Sequence, residues 1–258
     1  MSKISIITPV YNVSGYIGAC LESIAAQTLS GIEVVLVDDH GSDGSVQNAK
    51  DFAEKHPEIE WKFTKTPLNS GPGAARNYGL TVAAGEYICF VDADDWIEPT
   101  FCEKLYNTAK SSNADMACCD IFFGAQVRRN PSTNNKKFFL RHFVSYFTTF
   151  IYRRTFLKEN GIIFPDTHSA EDTCFLTCSL ICAERIASVR EPLYHYVIRP
   201  SSVSQKPDRQ RASQRLASFE YLIDFAKKHG LYEKYPFELQ LIRFKKGWLM
   251  SLKDRFIG

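Results

Sequence analysis

The sequence predicts an α/β protein: a mostly parallel central sheet with helices on both faces, followed by a helical C-terminal extension. Three observations carry this. Over roughly the first 120 residues, short apolar runs alternate with segments at helical spacing, the order that parallel strands and their crossovers require. The runs are continuously apolar rather than alternating, so both sheet faces are covered. With 258 residues, 45% hydrophobic and 23% charged, the chain can bury a large core, and collagen, coiled-coil, solenoid and small disulfide scaffolds are excluded.

Taken in order, residues 4–8 (ISIIT) form the first buried strand, ended by Pro9. Ile17, Leu21, Ile24 and Thr28 then share one helical face. Residues 32–37 (IEVVLV) are the second strand and 38–45 a polar loop, after which Val46, Ala49, Phe52 and Ala53 face inward on a helix. Residues 61–64 make a weaker third strand. A Gly/Pro loop opens a helix over 71–84, and 87–91 (YICFV) is a strong fourth strand. Pro99 suits the first turn of the next helix, and 114–122 returns as a strand.

Beyond Phe123 the pattern changes. Residues 124–137 (GAQVRRNPSTNNKK) are polar and turn-rich and predict an exposed or mobile loop. A helical stretch, a stop at Gly161 and the segment FPDTHSAEDTCFL follow. Residues 193–198 (LYHYVI) read as a strand, and from Arg209 two amphipathic helices are split near Gly230 and Pro236. The domain reading is therefore 1–123 and 124–205 as two halves of one domain, with 206–258 as a helical extension.

Net charge is +2, but it conceals an asymmetry. Residues 1–124 hold 8 Lys/Arg against 17 Asp/Glu, a net of −9, whereas 125–258 hold 23 against 12, a net of +11. The acidic half suits cations; the basic half suits an anionic partner such as phosphate or a membrane surface. Eight cysteines without a CxxC, in a chain whose start (MSKISIITPVYN) lacks a secretory pattern, read as reduced, buried thiols in a cytoplasmic protein. Cys174, Cys178 and Cys182 recur every four residues, a core face rather than a metal site, because no His joins them at ligand spacing. No run of about 18 apolar residues occurs, so no membrane-spanning helix is expected.

In parallel sheets ligands sit at the carboxyl ends of the strands. The polar motifs fall there: 9–12 after the first strand, Asp38 and Asp39 after the second, 92–95 after the fourth. Asp92, Asp94 and Asp95 would repel one another unless a cation compensates. Hard carboxylate oxygens suit Mn²⁺ or Mg²⁺, ions that also bind phosphate oxygens and would neutralise a leaving diphosphate.

Five segments, KISIITPVYN, EVVLVDDHGSDGS, NSGPGAARNYGL, GEYICFVDADD and AEDTCFL, come in an order that closely resembles the family 2 glycosyltransferases, inverting nucleotide-sugar enzymes of the Rossmann-like GT-A fold. The resemblance is strong over 3–100, good around 150–200 and fades toward the end. It implies that Pro9, Tyr11 and Asn12 floor the nucleotide pocket and that Asp39 accepts a hydrogen bond from the base, with Asp38 structural. It places Arg76 as a cation near the nucleotide phosphates, and Gly71 and Gly73 as points of close backbone approach. Asp92 and Asp94 match the DxD motif, with Asp94 the direct metal ligand, while Asp95 positions the neighbouring loop or sugar. Asp172 matches the general base, with Glu171 secondary. His195, Arg199 and Ser201 match a segment near the diphosphate, although a histidine in a strand pattern is more often packed and hydrogen-bonded.

The reading is an inverting transferase moving a sugar from a nucleotide donor, UDP-linked on family precedent, to a hydroxyl of a glycan or lipid-linked acceptor in bacterial cell-surface polysaccharide synthesis. A nucleotidyltransferase of sugar phosphates is disfavoured, since TPVYN stands where its Gly-rich phosphate loop would be. A non-catalytic nucleotide-binding module is disfavoured by retention of Asp39, Asp92, Asp94 and Asp172. A nucleic-acid partner is excluded by acidic strand ends. Peripheral membrane contact would use Arg128, Arg129, Lys136 and Lys137 in the polar loop. Lys245, Lys246, Lys253 and Arg255 beside Trp248, Leu249 and Phe256 would serve at the end of the chain. The run Lys206, Arg209, Arg211 and Arg215 is a solvated helix face or one that meets lipid phosphate.

Overall fold

A computed structural model describes residues 2–133, 135–142, 146–198 and 209–244, side chains from 212 onward in the last stretch. The elements are β1 (Ile4–Val10), α1 (Ile17–Ala25), β2 (Ile32–Asp38), α2 (Ser45–Lys55), β3 (Glu60–Lys65), α3 (Gly71–Val82), β4 (Tyr87–Phe90), β5 (Trp96–Ile97) and α4 (Phe101–Ser111). There follow β6 (Met116–Phe123), β7 (Gln126–Arg128), α5 (Lys136–His142), a 3₁₀ turn (Phe147–Thr149), β8 (Phe150–Arg153) and α6 (Arg154–Glu159). The chain continues with α7 (Glu171–Cys182), β9 (Ile186–Tyr196), α8 (Arg209–Lys228) and α9 (Pro236–Ile242).

One curled sheet runs β3-β2-β1-β4-β8-β6-β9-β5, with β7 paired to β6. Strands β3, β2, β1 and β4 are mutually parallel, as are β6 and β9. Two apolar layers cover the sheet. On one side Ile17, Leu21 and Leu105 of α1 and α4 pack on Ile4, Ile6, Val34 and Leu36. On the other, Phe175 of α7 and Phe219 and Leu222 of α8 pack with Ile7, Val35, Phe90 and Phe164. Fully burying each such side chain contributes roughly 1.5–3 kcal/mol. Both faces are covered, which is why these strands read as continuous apolar runs.

Pro9 does not end β1. Pairing with β4 stops at Ile7↔Phe90, so on that side Pro9 needs no N–H, while pairing with β2 continues through Val10↔Asp38. The helical expectation before Gly161 is overturned in part: β8 lies there, antiparallel, inserted between β4 and β6. The exposed-loop expectation for 124–137 is overturned in part, since most of the segment is exposed but not all of it is loop. It holds β7 and the start of α5, and Asn130 is buried, its Nδ2 donating to Cys119 O and Thr149 Oγ1. Arg128 stacks on Phe123 at 3.8 Å and donates to the Tyr146 hydroxyl, and Lys136 Nζ donates to Ala183 O. Those two cations are committed to the protein, whereas Arg129 and Lys137 stay exposed.

All eight cysteines are free thiols, and Cys174 and Cys178 face the core. The helices α8 and α9 fall where two were expected. Arg199, Ser201, Lys206, the side chains of Arg209 and Arg211, and the terminal basic and apolar residues from Lys245 to Phe256 lie outside the described residues. Among the described residues no helix is long and apolar enough to cross a membrane.

Candidate active site

The loops at the carboxyl ends of β1, β2 and β4 converge. After β1, half-buried Pro9 leads to Tyr11, whose ring is 47% exposed. Asn12 follows in the left-handed region (φ 51°), a conformation that Asn tolerates better than most residues. Its Oδ1 accepts the Ser42 N–H at 2.8 Å, tying this loop to the one after β2. Asp43 fastens the same junction by accepting the N–H groups of Ser14 and Ser45. Burial would raise the Asp43 carboxyl, but these bonds and the Ser45 hydroxyl outweigh it and hold the group at about 2.

Asp38 and Asp39 divide as expected in part. Asp38 accepts the His40 N–H at 2.9 Å and pairs with Lys65 at 3.1 Å, a structural task. Asp39 is 3% exposed and is also bound by the protein. It accepts the Thr66 hydroxyl (2.9 Å), Ser70 N–H (3.1 Å) and Gly71 N–H (3.0 Å). A carboxylate offers about four acceptor sites, so Asp39 keeps capacity for one further donor, on Oδ2.

Gly71, at φ +83°, opens α3; a Cβ there would lie 2.5 Å from His168 Nδ1, so both backbone conformation and space demand glycine. At Gly73 a Cβ would meet Glu171 Cγ at 3.0 Å, so this glycine lets α3 abut α7. One turn on stands Arg76, expected near the nucleotide and its phosphates, and its guanidinium is turned onto the neighbouring acids. It is 5% exposed, its Nη2 bonds Asp92 Oδ1 at 2.6 Å, and Nη1 lies 3.8 Å from Glu171 Oε1. Phe147 and Phe164 lie under the guanidinium at 4.6 and 5.4 Å, and Nε has no hydrogen-bond partner. Arg76 is a clamp between the acids after β4 and the start of α7.

Asp95 is buried and held by the Tyr194 hydroxyl (2.7 Å) and the Val197 N–H (2.8 Å), so it positions the loop, as expected. Burial, with the charges of Asp92 and Asp94, pushes its carboxyl well above the usual range. The same three acids, added to burial, raise the neighbouring Cys20 thiol. Asp94 is half-buried. Among the described residues no group of three or more His, Cys, Asp or Glu is placed to hold a metal ion. A closed protein cage is therefore absent there, but two carboxylates in a repulsive acid cluster fit Mg²⁺ or Mn²⁺, which use one or two carboxylates and complete their shell with phosphates and water.

Across the site, α7 begins at Glu171 after Ala170, a non-glycine residue at φ 63°. Asp172 is half-buried, and its Oδ1 accepts the Thr173 N–H at 2.6 Å. The first turn of a helix favours negative charge. Burial pushes the Glu171 carboxyl up to about 7, Asp172 adds to the rise and Arg76 opposes it.

His195, expected near the diphosphate, packs between two aromatic rings. Its ring stacks between Trp96 (3.3 Å) and Phe122 (4.4 Å), and its Nε2 lies 2.7 Å from Glu98 Oε1. It is a packed, hydrogen-bonded residue. Sequence reasoning missed the Tyr194 hydroxyl, which supports both Asp92 N–H and Asp95, and it missed His168 above Gly71. Nothing in LYHY or DTHS marks these roles, because their partners lie about 100 residues away.

Polar loops at the carboxyl ends of β1, β2 and β4, acidic after β2 and β4, place the candidate site of this α/β protein where such sheets bind ligands. The profile of Glycosyl transferase family 2 matches residues 5–178, and the chain belongs to that family. It is 31% identical over 254 residues to the putative glycosyltransferase EpsH of Bacillus subtilis (strain 168), spanning 92% of this chain and 72% of that one. Poly(ribitol-phosphate) beta-N-acetylglucosaminyltransferase TarS of Staphylococcus aureus (strain MW2) is 32% identical over 210 residues, 77% of this chain and 36% of TarS. The crystal structure of S. aureus TarS 1–349 in complex with UDP-GlcNAc superposes with a TM-score of 0.71 at 26% identity, covering 88% of this chain and 72% of that one. A mannosyltransferase from Pyrobaculum calidifontis, in complex with GDP-Man and Mn²⁺, shares the fold at 18% identity and a TM-score of 0.63, covering 94% and 69% of the two chains. The sheet and its helices are those of GT-A glycosyltransferases.

Proposed function

We propose that this chain transfers a sugar, with inversion, from a UDP-sugar to an acceptor hydroxyl of a growing cell-surface glycan or lipid-linked sugar. The observation that carries the reading is the Arg76 clamp. It holds the acid loop and the Glu171–Asp172 helix start in one site at the strand ends, where a diphosphate and an acceptor would meet. TarS, its relative, takes UDP-GlcNAc and poly(ribitol-phosphate), which supports a uridine donor and a surface-polymer acceptor.

Tyr11 and Pro9 would floor the base, Asn12 would keep that loop in place, and the remaining acceptor site of Asp39 would take a ring N–H. Gly71 would let the nucleotide approach the backbone. Asp94 and Asp92 would hold a divalent cation, Mn²⁺ or Mg²⁺, against the diphosphate; when bound, it would neutralise charge developing on the leaving group. The Asp172 carboxylate would take the proton of the acceptor hydroxyl as its oxygen bonds to the anomeric carbon and the bond to the diphosphate breaks on the opposite face. Arg76 would keep Asp92 and Glu171 in place rather than touch the donor. The basic excess of residues 125–258 fits approach to an anionic membrane face that carries such an acceptor.

A panel of nucleotide sugars with and without Mn²⁺, read by released nucleotide, tests this reading. Metal-dependent release of UDP is expected, and Asp172→Asn should lower kcat by roughly 10²–10⁴ with UDP binding unchanged. Full activity in excess EDTA, or loss of UDP binding together with turnover in Asp172→Asn, would overturn the metal or the base assignment respectively.

A further inference from the structure

The C-terminal extension does more than lengthen the fold. One face of α8 carries Gln214, Arg215 and Ser218, and all three reach the loop that leads into Glu171–Asp172. Gln214 Oε1 accepts the His168 N–H at 2.9 Å. Arg215 Nε donates to Ser169 Oγ at 3.3 Å. The Ser218 hydroxyl donates to Ser169 O at 2.7 Å and lies 2.5 Å from Thr167 Oγ1, while Cys174 Sγ, on α7 itself, donates to Ser218 O at 3.0 Å.

Ser218 is fully buried and Arg215 nearly so, beside Phe219 and Leu222 on a surface that is otherwise apolar core. Burying a hydroxyl and a guanidinium costs free energy unless they are bonded, and apolar residues alone would dock this helix. The polar trio matches instead residues 167–169, through the backbone of His168 and Ser169 and the hydroxyls of Thr167 and Ser169, in a loop that ends in Ala170 at φ 63°. A strained non-glycine residue persists only where its surroundings over-determine it, and such strain collects at functional sites. At its other end the loop lays His168 over Gly71 and the start of α3.

We propose that α8 is a positioning element for the base: Gln214, Arg215 and Ser218 fix loop 167–170 and thereby the direction in which Asp172 meets the acceptor hydroxyl. This rests on Asp172 being the base. None of the three touches the reacting atoms.

The test compares the full chain with Ser218→Ala, Gln214→Leu, Gln214→Glu and Ala170→Gly. UDP release from whichever of UDP-GlcNAc, UDP-glucose and UDP-galactose the parent turns over is followed with Mn²⁺ across pH, well below each variant's Tm. Misplacement of a reacting group by about 1 Å costs about 10²-fold, so kcat should fall 10- to 100-fold in Ser218→Ala and Gln214→Leu. UDP binding measured by calorimetry should not change. Gln214→Glu, which retains an acceptor, should recover most of the rate. Ala170→Gly relieves the strain, so its Tm should stay near the parent's while kcat falls and the pH dependence of kcat flattens. A purely structural brace predicts lower Tm with kcat intact, and unchanged kcat in Gln214→Leu and Ala170→Gly would overturn the inference. Asp172→Asn separates the two failures: if it keeps full turnover, the base assignment falls, whereas if it alone loses turnover, only the role of α8 does.

Discussion

Two acidic strand ends of this protein receive opposite treatment. After β2, Asp38 and Asp39 are met by protein donors: His40 N–H and Lys65 for the first, and Thr66, Ser70 and Gly71 for the second. After β4, Asp92 receives one buried guanidinium, Asp95 is held by Tyr194 and Val197, and three carboxylates crowd a single turn. The first pair organises loops; the second places three carboxylates in one turn, where their mutual repulsion is what a cation would relieve. An acid at the end of a parallel strand is thus not by itself a site. What distinguishes the two ends is how much of each acid the protein's own donors already occupy.

The sharpest way to break this contrast is one chemical change, Asp→Asn, applied to both ends. At Asp94 it removes a ligand for the cation, whose stabilisation of a leaving diphosphate is worth several kcal/mol, so turnover should drop by about 10³-fold or more. Metal-free Asp94→Asn should be as stable as the parent or more so, because a repelling charge is gone. Thermal melts with and without Mn²⁺ check both statements: the parent should gain Tm with the ion, the variant should not. A clear loss of metal-free stability would make Asp94 a structural acid like its counterparts after β2.

At Asp39 the same change should do the reverse. The new amide would point an NH₂ group either at the Gly71 N–H or at the Thr66 and Ser70 donors. Each buried donor left unpaired costs about 1–3 kcal/mol, so a total loss of about 2–4 kcal/mol is expected from urea unfolding. Metal binding at the β4 end should survive. A loss below about 0.5 kcal/mol would mean that the loop after β3 does not depend on this carboxylate.

This contrast also marks what the sequence discloses. Runs such as ISIIT, IEVVLV and YICFV appear as strands within a residue or two, because strands buried on both faces are apolar throughout. Phe150–Arg153 stays hidden: four residues carry no period, and its place between β4 and β6 is set by neighbours distant in the chain. The polar segment after Phe123 misleads because Asn130 finds Cys119 O and Thr149 in the folded state only. Asp39, Asp92, Asp94 and Asp95 are visible as carboxylates after an apolar run, yet the donors that satisfy Asp39 arrive 27 to 32 residues later. Arg76 is legible as a site cation through the family resemblance, but its place between Asp92 and Glu171 depends on Phe147, Phe164 and Glu171, which are distant in the chain.

Glu171 sharpens the comparison from the other side of Arg76. Its carboxyl, pushed up to about 7 by burial, lies well above its value in the unfolded chain. Between those values the folded state binds more protons, so this group's contribution to stability is complete at low pH and is lost as pH rises through about 7. The groups facing it are Arg76, Asp172 and Asp92. Glu171→Gln cannot titrate, so its stability relative to the parent should improve from about pH 5 and level off above about pH 7. The missing Arg76 contact adds only an offset. A pH-independent difference between the two melting curves would place Glu171 among ordinary, ionised carboxylates.

The smallest effect is expected at Asp38, again by Asp→Asn. The amide oxygen can still accept the His40 N–H, so the bond that shapes the turn is kept. What is lost is the ion pair with Lys65, whose side chain is 56% exposed against 18% for Asp38. Such a pair in high dielectric gains little beyond the entropy of ordering a lysine, and exposed pairs contribute about 0–1 kcal/mol. Urea unfolding at low salt should therefore show a loss of under about 1 kcal/mol. At 1 M NaCl, where the screening length shrinks to about 3 Å, the difference should vanish. A loss that rivals Asp39→Asn and ignores salt would mean that Asp38 acts through a buried network, and the division of labour between the two neighbours would have to be redrawn.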